Sequence, residues 1–153
     1  MSVNIKEVAE TVLNIERANN ERWNQGDCFG YLDSYSDDIS YFDPVTEKLI
    51  VGNSAVREHI LSRYKNPNII RSEYLNPDVA VSEAGDLAVL SYNLHNYVAG
   101  EDGQEKLQKC WNTTEVFRLI NGEWRTVHLC ISPFRYHLIH VFSCVLFVFP
   151  VAP

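Results

Sequence analysis

The feature that most restricts this chain's fold is a series of four long β-patterned segments, starting at Ile69 and joined by tight turns. Residues 69–83 are rich in strand formers, break at Asn76-Pro77, and end in the turn Ala84-Gly85-Asp86. Leu87 to Ala99 is the second segment, closed by Gly100-Glu101-Asp102-Gly103. Lys106 to Ile120 is the third. Asn121-Gly122, the strongest short hairpin signal, leads into the fourth, from Glu123 to Ile131. Turns this short make each strand run antiparallel to the one before it.

What precedes the strands is largely helical. Residues 4–25 place Ile5, Val8, Val12, Ile15, Asn19 and Trp23 at three- and four-residue steps, the pattern of an amphipathic helix. Gly26 is placed to end it, and Asp27 to cap a short second helix containing Phe29, Leu32 and Tyr35. Ile39 to Asp43 alternates as a strand that Pro44 ends. After Leu49-Ile50-Val51 and Gly52, Asn53 or Ser54 is expected to cap a third helix through Arg63. Helices first and a meander afterwards predict an α+β domain. Three helices cannot cover both sides of so long a twisted sheet. The strongly curved antiparallel sheet is therefore expected to curl around the three N-terminal helices, leaving a cavity between them.

The chain has 153 residues, enough for one domain with one core, and a formal net charge of -7. A nucleic-acid binder would carry a basic face, so no nucleic-acid partner is expected. Cys28, Cys110, Cys130 and Cys144 form no CxxC pair and no zinc-spaced cluster, and there is no phosphate-cradling glycine loop. Neither a metal nor a cofactor is expected. The first residues lack the basic and apolar regions of a secretory leader, which makes the cytoplasm the expected compartment. Residues 138–149 form an apolar run shorter than the ~18 residues that usually span a bilayer. Pro133 is expected to interrupt sheet pairing, dividing the chain into a domain of residues 1–132 and an apolar tail of residues 133–153.

Several motifs point further. Gly26-Asp27, Asp43-Pro44-Val45, Gly52 and Ala55-Val56-Arg57-Glu58 together resemble the steroid delta-isomerase branch of the nuclear transport factor 2-like superfamily. Trp111, Thr114-Glu115-Val116-Phe117-Arg118, Asn121-Gly122-Glu123-Trp124 and Val127-His128 resemble its SnoaL-like branch. They also resemble the association domain of calcium/calmodulin-dependent protein kinase II. The resemblance implies this same α+β architecture, a cone-shaped barrel with a pocket. In the isomerases, the aspartate of the Asp-Pro motif is the base that moves a proton beside a ketone, a role the resemblance carries to Asp43. There, a tyrosine on the first helix and a protonated acid on a later strand stabilise the enolate oxygen. These two positions fall on Asn19 and Glu115. SnoaL-like relatives often end the strand after Gly-x-Trp with His-x-His; this chain has His128-Leu129-Cys130 and keeps only the first histidine.

The expected catalytic residues are thus Asp43, Glu115 and His128, facing one cavity. Asp43 has a second reading, since Asp-Pro commonly starts a turn. Trp111, Thr113, Glu115 and Phe117 share one strand face, which puts Trp111 on the cavity wall; Trp124, Thr126, His128 and Cys130 share another face. Asn19, Trp23, Tyr35, Tyr41, Tyr92 and Trp111 are the expected ligand-binding residues, and their aromatic bodies with polar tips suit a small hydrophobic molecule. His59, on the third helix, is expected to be exposed. Two functions fit. One is a cofactor-independent isomerase, cyclase or dehydratase with Asp43 as base; the other is a non-catalytic ligand-binding or oligomerisation module. A homodimer through the outer sheet face is expected, because Val79, Val81, Leu90, Tyr92, Leu94, Val116 and Ile131 leave apolar surface to cover.

Overall fold

The computed structural model describes residues 4–134. Helix α1 (Ile5–Asn24) is capped by Asn4, whose side chain accepts the Glu7 amide. It ends in a Schellman turn. Gly26, at φ 91°, donates its amide to the Trp23 carbonyl, and the Asp27 amide reaches the carbonyl of Arg22. The short α2 (Phe29–Leu32) lies against α1. A Cβ at Gly30 would sit 2.6 Å from the Asn19 carbonyl oxygen, so this crossing requires glycine.

Tyr35 opens strand β1 (Tyr35–Phe42) instead of extending α2 as expected. The reason is tertiary: the Thr126 amide donates to the Ser34 carbonyl and draws the chain into the sheet. A two-residue strand β2 (Ile50–Val51) and helix α3 (Asn53–Arg63) follow. Neither Asn53 nor Ser54 caps α3. Gly52 holds the cap position at φ 95°, and Asn53 Nδ2 donates instead to the Tyr35 carbonyl at 3.0 Å, pinning α3 to the start of β1.

The meander comprises β3 (Ile69–Val81), β4 (Leu87–Ala99), β5 (Glu105–Ile120) and β6 (Glu123–Phe134). The sheet order is β2-β1-β6-β5-β4-β3. Neighbours are antiparallel except β1 and β6, which run parallel, because β1 meets β6 only after the intervening chain has looped away. Asn76-Pro77 does not split β3. It forms an irregularity between Leu75 and Asp78 on an edge strand, where proline is tolerated. Asn121 and Gly122 both have positive φ, as a type I′ hairpin requires. Pairing does not stop at Pro133 either. Pro133 and Phe134 lie opposite Trp111 and Cys110 of β5, beyond the last contact of β6 with β1 at Cys130. The rest of the expected tail lies outside the described residues. Among those residues, no helix is long and apolar enough to cross a membrane.

Register shifts in all four long strands bend the sheet. Its concave face packs two apolar clusters. Val12 of α1 meets Leu90, Tyr92, Leu94 and Phe117, while Val56 and Ile60 of α3 meet Leu32, Ile39 and Leu129. Six of the seven residues expected on an outer apolar face pack inside instead; Val116 is half-buried and belongs to neither cluster. Leu90, Tyr92 and Leu94 are buried, Val79 and Val81 pack on the first cluster, and Ile131 packs on the second. Ser91, Asn93, Asn112 and Thr114 line a polar depression on the sheet beside Cys130 and Ser132.

Candidate functional site

A cavity of about 330 Å³ opens between the helices and the concave sheet. Trp23, Tyr35, Tyr41, Tyr92 and Trp111 line it, as do Asp43, His59 and Glu115, with the exposed Arg63 and Lys65 also on its boundary. That volume is at the small end of ligand pockets, which run from about 300 to 1,000 Å³.

Asp43 divides its two oxygens between the turn and the cavity. Oδ1 accepts the Val45 amide at 2.9 Å, making the turn after β1. Oδ2 turns to the cavity, 2.8 Å from His59 Nε2 and 3.3 Å from the Tyr41 hydroxyl, which donates to it. The pair is largely enclosed: the side chains of His59 and Asp43 are only 10% and 16% exposed. Burial, followed by the charge of Asp43, pushes the Tyr41 phenol far above its ordinary range, so it remains a donor. His59 is therefore not the exposed residue expected. Its signal was present: Val56, His59 and Ile60 stand at i, i+3 and i+4, and both apolar members are buried.

Glu115 is wholly buried on β5 and lines the cavity with Trp111 and Thr113; Phe117, on the same strand face, is buried in the apolar cluster against α1. Burial raises its proton affinity well above the carboxylate norm, and the neighbouring Glu16 charge adds to this. Glu16 is the residue that sequence reasoning missed. It sits on α1 with no exposure, and its Oε1 accepts hydrogen bonds from Tyr31 at 2.9 Å, Tyr74 at 3.1 Å and Tyr92 at 2.7 Å. The Tyr92 hydroxyl also lies 3.0 Å from Glu115 Oε1, linking the two carboxyl groups. The available signal was position: Glu16 lies four residues after Val12 and three before Asn19, on the buried face.

Two expected residues are not brought to the cavity. His128 does not line it; its Nδ1 pairs with Ser40 Oγ at 2.7 Å. The cause is a bulge. Phe117 pairs with Thr126 but Val116 pairs with His128, so one extra residue on β6 exchanges its faces. Thr126 is buried before the bulge, and Leu129 and Ile131 line the cavity after it, leaving His128 and Cys130 off the cavity wall. Asn19 is buried, but its Nδ2 donates to Ser34 Oγ at 2.9 Å and ties α1 to the approach of β1; it does not line the cavity. No group of three His, Cys, Asp or Glu among the described residues is arranged to hold a metal ion.

Comparison with known proteins agrees with this architecture. No curated protein matches the sequence. Among solved structures, a protein of Parabacteroides distasonis provisionally assigned as a ketosteroid isomerase is 25% identical, with TM-score 0.69, over 83% of this chain and 88% of its own. The association domain of the Caenorhabditis elegans calcium/calmodulin-dependent kinase II ("C. elegans CaMKII") is 19% identical, with TM-score 0.70, over 84% and 97%. A Streptomyces avermitilis protein of the nuclear transport factor 2-like family, provisionally assigned as a dehydratase, is 18% identical, with TM-score 0.64, over 86% and 99%. The family model of the SnoaL-like domain matches residues 12–136, so this chain belongs to the SnoaL-like domain family.

Proposed function

We propose that this protein is a cofactor-independent enzyme that moves a proton on a small hydrophobic carbonyl compound. The observation that carries this reading is the Asp43–His59 pair, enclosed in the same aromatic cavity as the buried acid Glu115. A base must lie within hydrogen-bond reach of the proton it takes, and a proton donor must meet the charge that develops on oxygen. Asp43, oriented by His59 and Tyr41, accepts a proton from the carbon beside the carbonyl. The released electron pair moves onto the carbonyl oxygen, which the neutral Glu115 carboxyl meets with its O–H. Return of the proton to another carbon gives isomerisation; attack of the enolate on an internal carbonyl gives ring closure. Trp23, Tyr35 and Trp111 supply the apolar walls, and the cavity volume suits a one- or two-ring compound.

The similarity to a protein provisionally assigned as a ketosteroid isomerase supports the reaction class without naming the substrate. The test is hydrogen–deuterium exchange at the acidic carbon of 2-tetralone in heavy water, followed by NMR, with binding read from tryptophan fluorescence. Exchange faster than in protein-free buffer is expected. Binding without accelerated exchange would favour the non-catalytic ligand-binding module instead.

A further inference from the structure

Glu16 takes no part in the chemistry proposed above, yet it is one of the most enclosed side chains in the molecule. Proton counting around it is informative. Tyr31, Tyr74 and Tyr92 each have one hydroxyl proton and lie within hydrogen-bond distance of Glu16 Oε1; Tyr92 is nearer to it, at 2.7 Å, than to Glu115 Oε1, at 3.0 Å, which favours donation to Glu16. An oxygen receiving three O–H donors is stabilised as an anion. Tyr92 has then spent its proton on Glu16, yet its oxygen still lies 3.0 Å from Glu115 Oε1. Two bare lone-pair-bearing oxygens at that distance repel. The contact becomes a hydrogen bond when Glu115 is the protonated member.

The other groups facing the pair agree with this count. Tyr31 comes from α2, Tyr74 from β3, Tyr92 from β4 and Thr126 from β6, and the Tyr35 phenol of β1 is held neutral by burial. None is a cation. Arg17 lies over the Tyr74 ring at 5.9 Å but makes no hydrogen bond to either carboxyl among the described residues. Two adjacent buried carboxylates cannot both ionise without a compensating charge, so one proton is retained between them.

We infer that Glu16 is a positioning residue: caged by three tyrosine hydroxyls, it holds the negative charge and so keeps the shared proton on Glu115, the carboxyl that faces the cavity. This rests on the role given to Glu115 above and identifies what sustains it.

The experiment is difference infrared spectroscopy of the carboxylic acid carbonyl band in the ligand-free protein. Wild type at neutral pH should show one buried acid. Glu115→Gln should abolish that band. Glu16→Gln should keep it but lose it at lower pH than wild type, because the charge that opposes Glu115 ionisation is gone. Tyr74→Phe, a milder change, should make a second acid band appear at higher pH on acidification, since Glu16 has lost one donor. Loss of the band in Glu16→Gln with retention in Glu115→Gln would overturn the inference, as would absence of any acid band in wild type or an unmoved second band in Tyr74→Phe. No ligand enters this measurement, so a failure of the catalytic reading leaves its result intact, and the reverse also holds.

Discussion

Replacing Tyr92 with phenylalanine removes one oxygen atom and leaves the ring packing in place. The lost hydroxyl sits 2.7 Å from Glu16 Oε1 and 3.0 Å from Glu115 Oε1. Both acids remain buried, so water cannot replace what is lost. A hydrogen bond to a charged group is worth about 1.5–3 kcal/mol, and a neutral one about 0.5–1.5 kcal/mol. For a protein of this size each kcal/mol moves Tm by roughly 2–4 °C, so the charged case predicts a loss of about 3–12 °C. The sign with pH follows from Glu16, whose proton affinity burial raises. Below its folded pKa Glu16 is neutral and only the weaker bond is lost; above it the carboxylate loses the stronger one. Urea unfolding of wild type and Tyr92→Phe on both sides of that transition measures the difference. The cost should be larger on the alkaline side. An equal cost at both pH values, or a larger one in acid, would refute the assignment of charge to Glu16.

Wild type should itself lose stability as pH rises. Glu115 has a raised folded pKa, so its contribution is fully present below the ordinary carboxyl range and is lost as pH climbs through the folded value; Glu115→Gln should flatten that slope in urea titrations, and an unchanged slope would count against a buried acid there. Gly30→Ala should lower Tm, because its Cβ would lie 2.6 Å from the Asn19 carbonyl oxygen and 2.7 Å from Arg22 Cβ; overpacking of this kind costs about 1–3 kcal/mol. His128→Ala should leave ligand binding and exchange unchanged, since His128 pairs with Ser40 away from the cavity; a loss of exchange of tenfold or more, about 1.4 kcal/mol in barrier height, would show that the bulge does not remove it from the chemistry.

The sequence was most legible where one local signal decides one outcome. Gly26, Asn121-Gly122 and the alternation of Thr113, Glu115 and Phe117 each describe what the structure contains. Tyr35 was misplaced because its helix-like spacing from Leu32 was overridden by a long-range bond between the Ser34 carbonyl and the Thr126 amide. His128 was misplaced because strict alternation assumes an unbroken register, and the bulge opposite Val116 and Phe117 is not written in any single residue. His59 and Glu16 were overlooked because polar residues on amphipathic helices are assumed to face water. Both sit at helical spacing from buried apolar residues, and their partners, Asp43 and the tyrosines, come from other elements. A polar side chain on an apolar helix face therefore calls for a partner from another element, as Asn19, Glu16 and His59 each have.

The central claim is that Asp43, paired with His59, takes a proton from a ligand held in the cavity. It is tested most directly by the rate of deuterium incorporation into bound 2-tetralone in Asp43→Asn against wild type, at matched fractional binding. Asparagine keeps the size of the side chain and an oxygen for the Val45 amide or the Tyr41 hydroxyl, but it cannot accept the proton. General-base catalysis typically contributes about 10²–10⁴-fold, so exchange in Asp43→Asn should fall by that factor while binding persists. Exchange that continues at the wild-type rate in Asp43→Asn would contradict the claim.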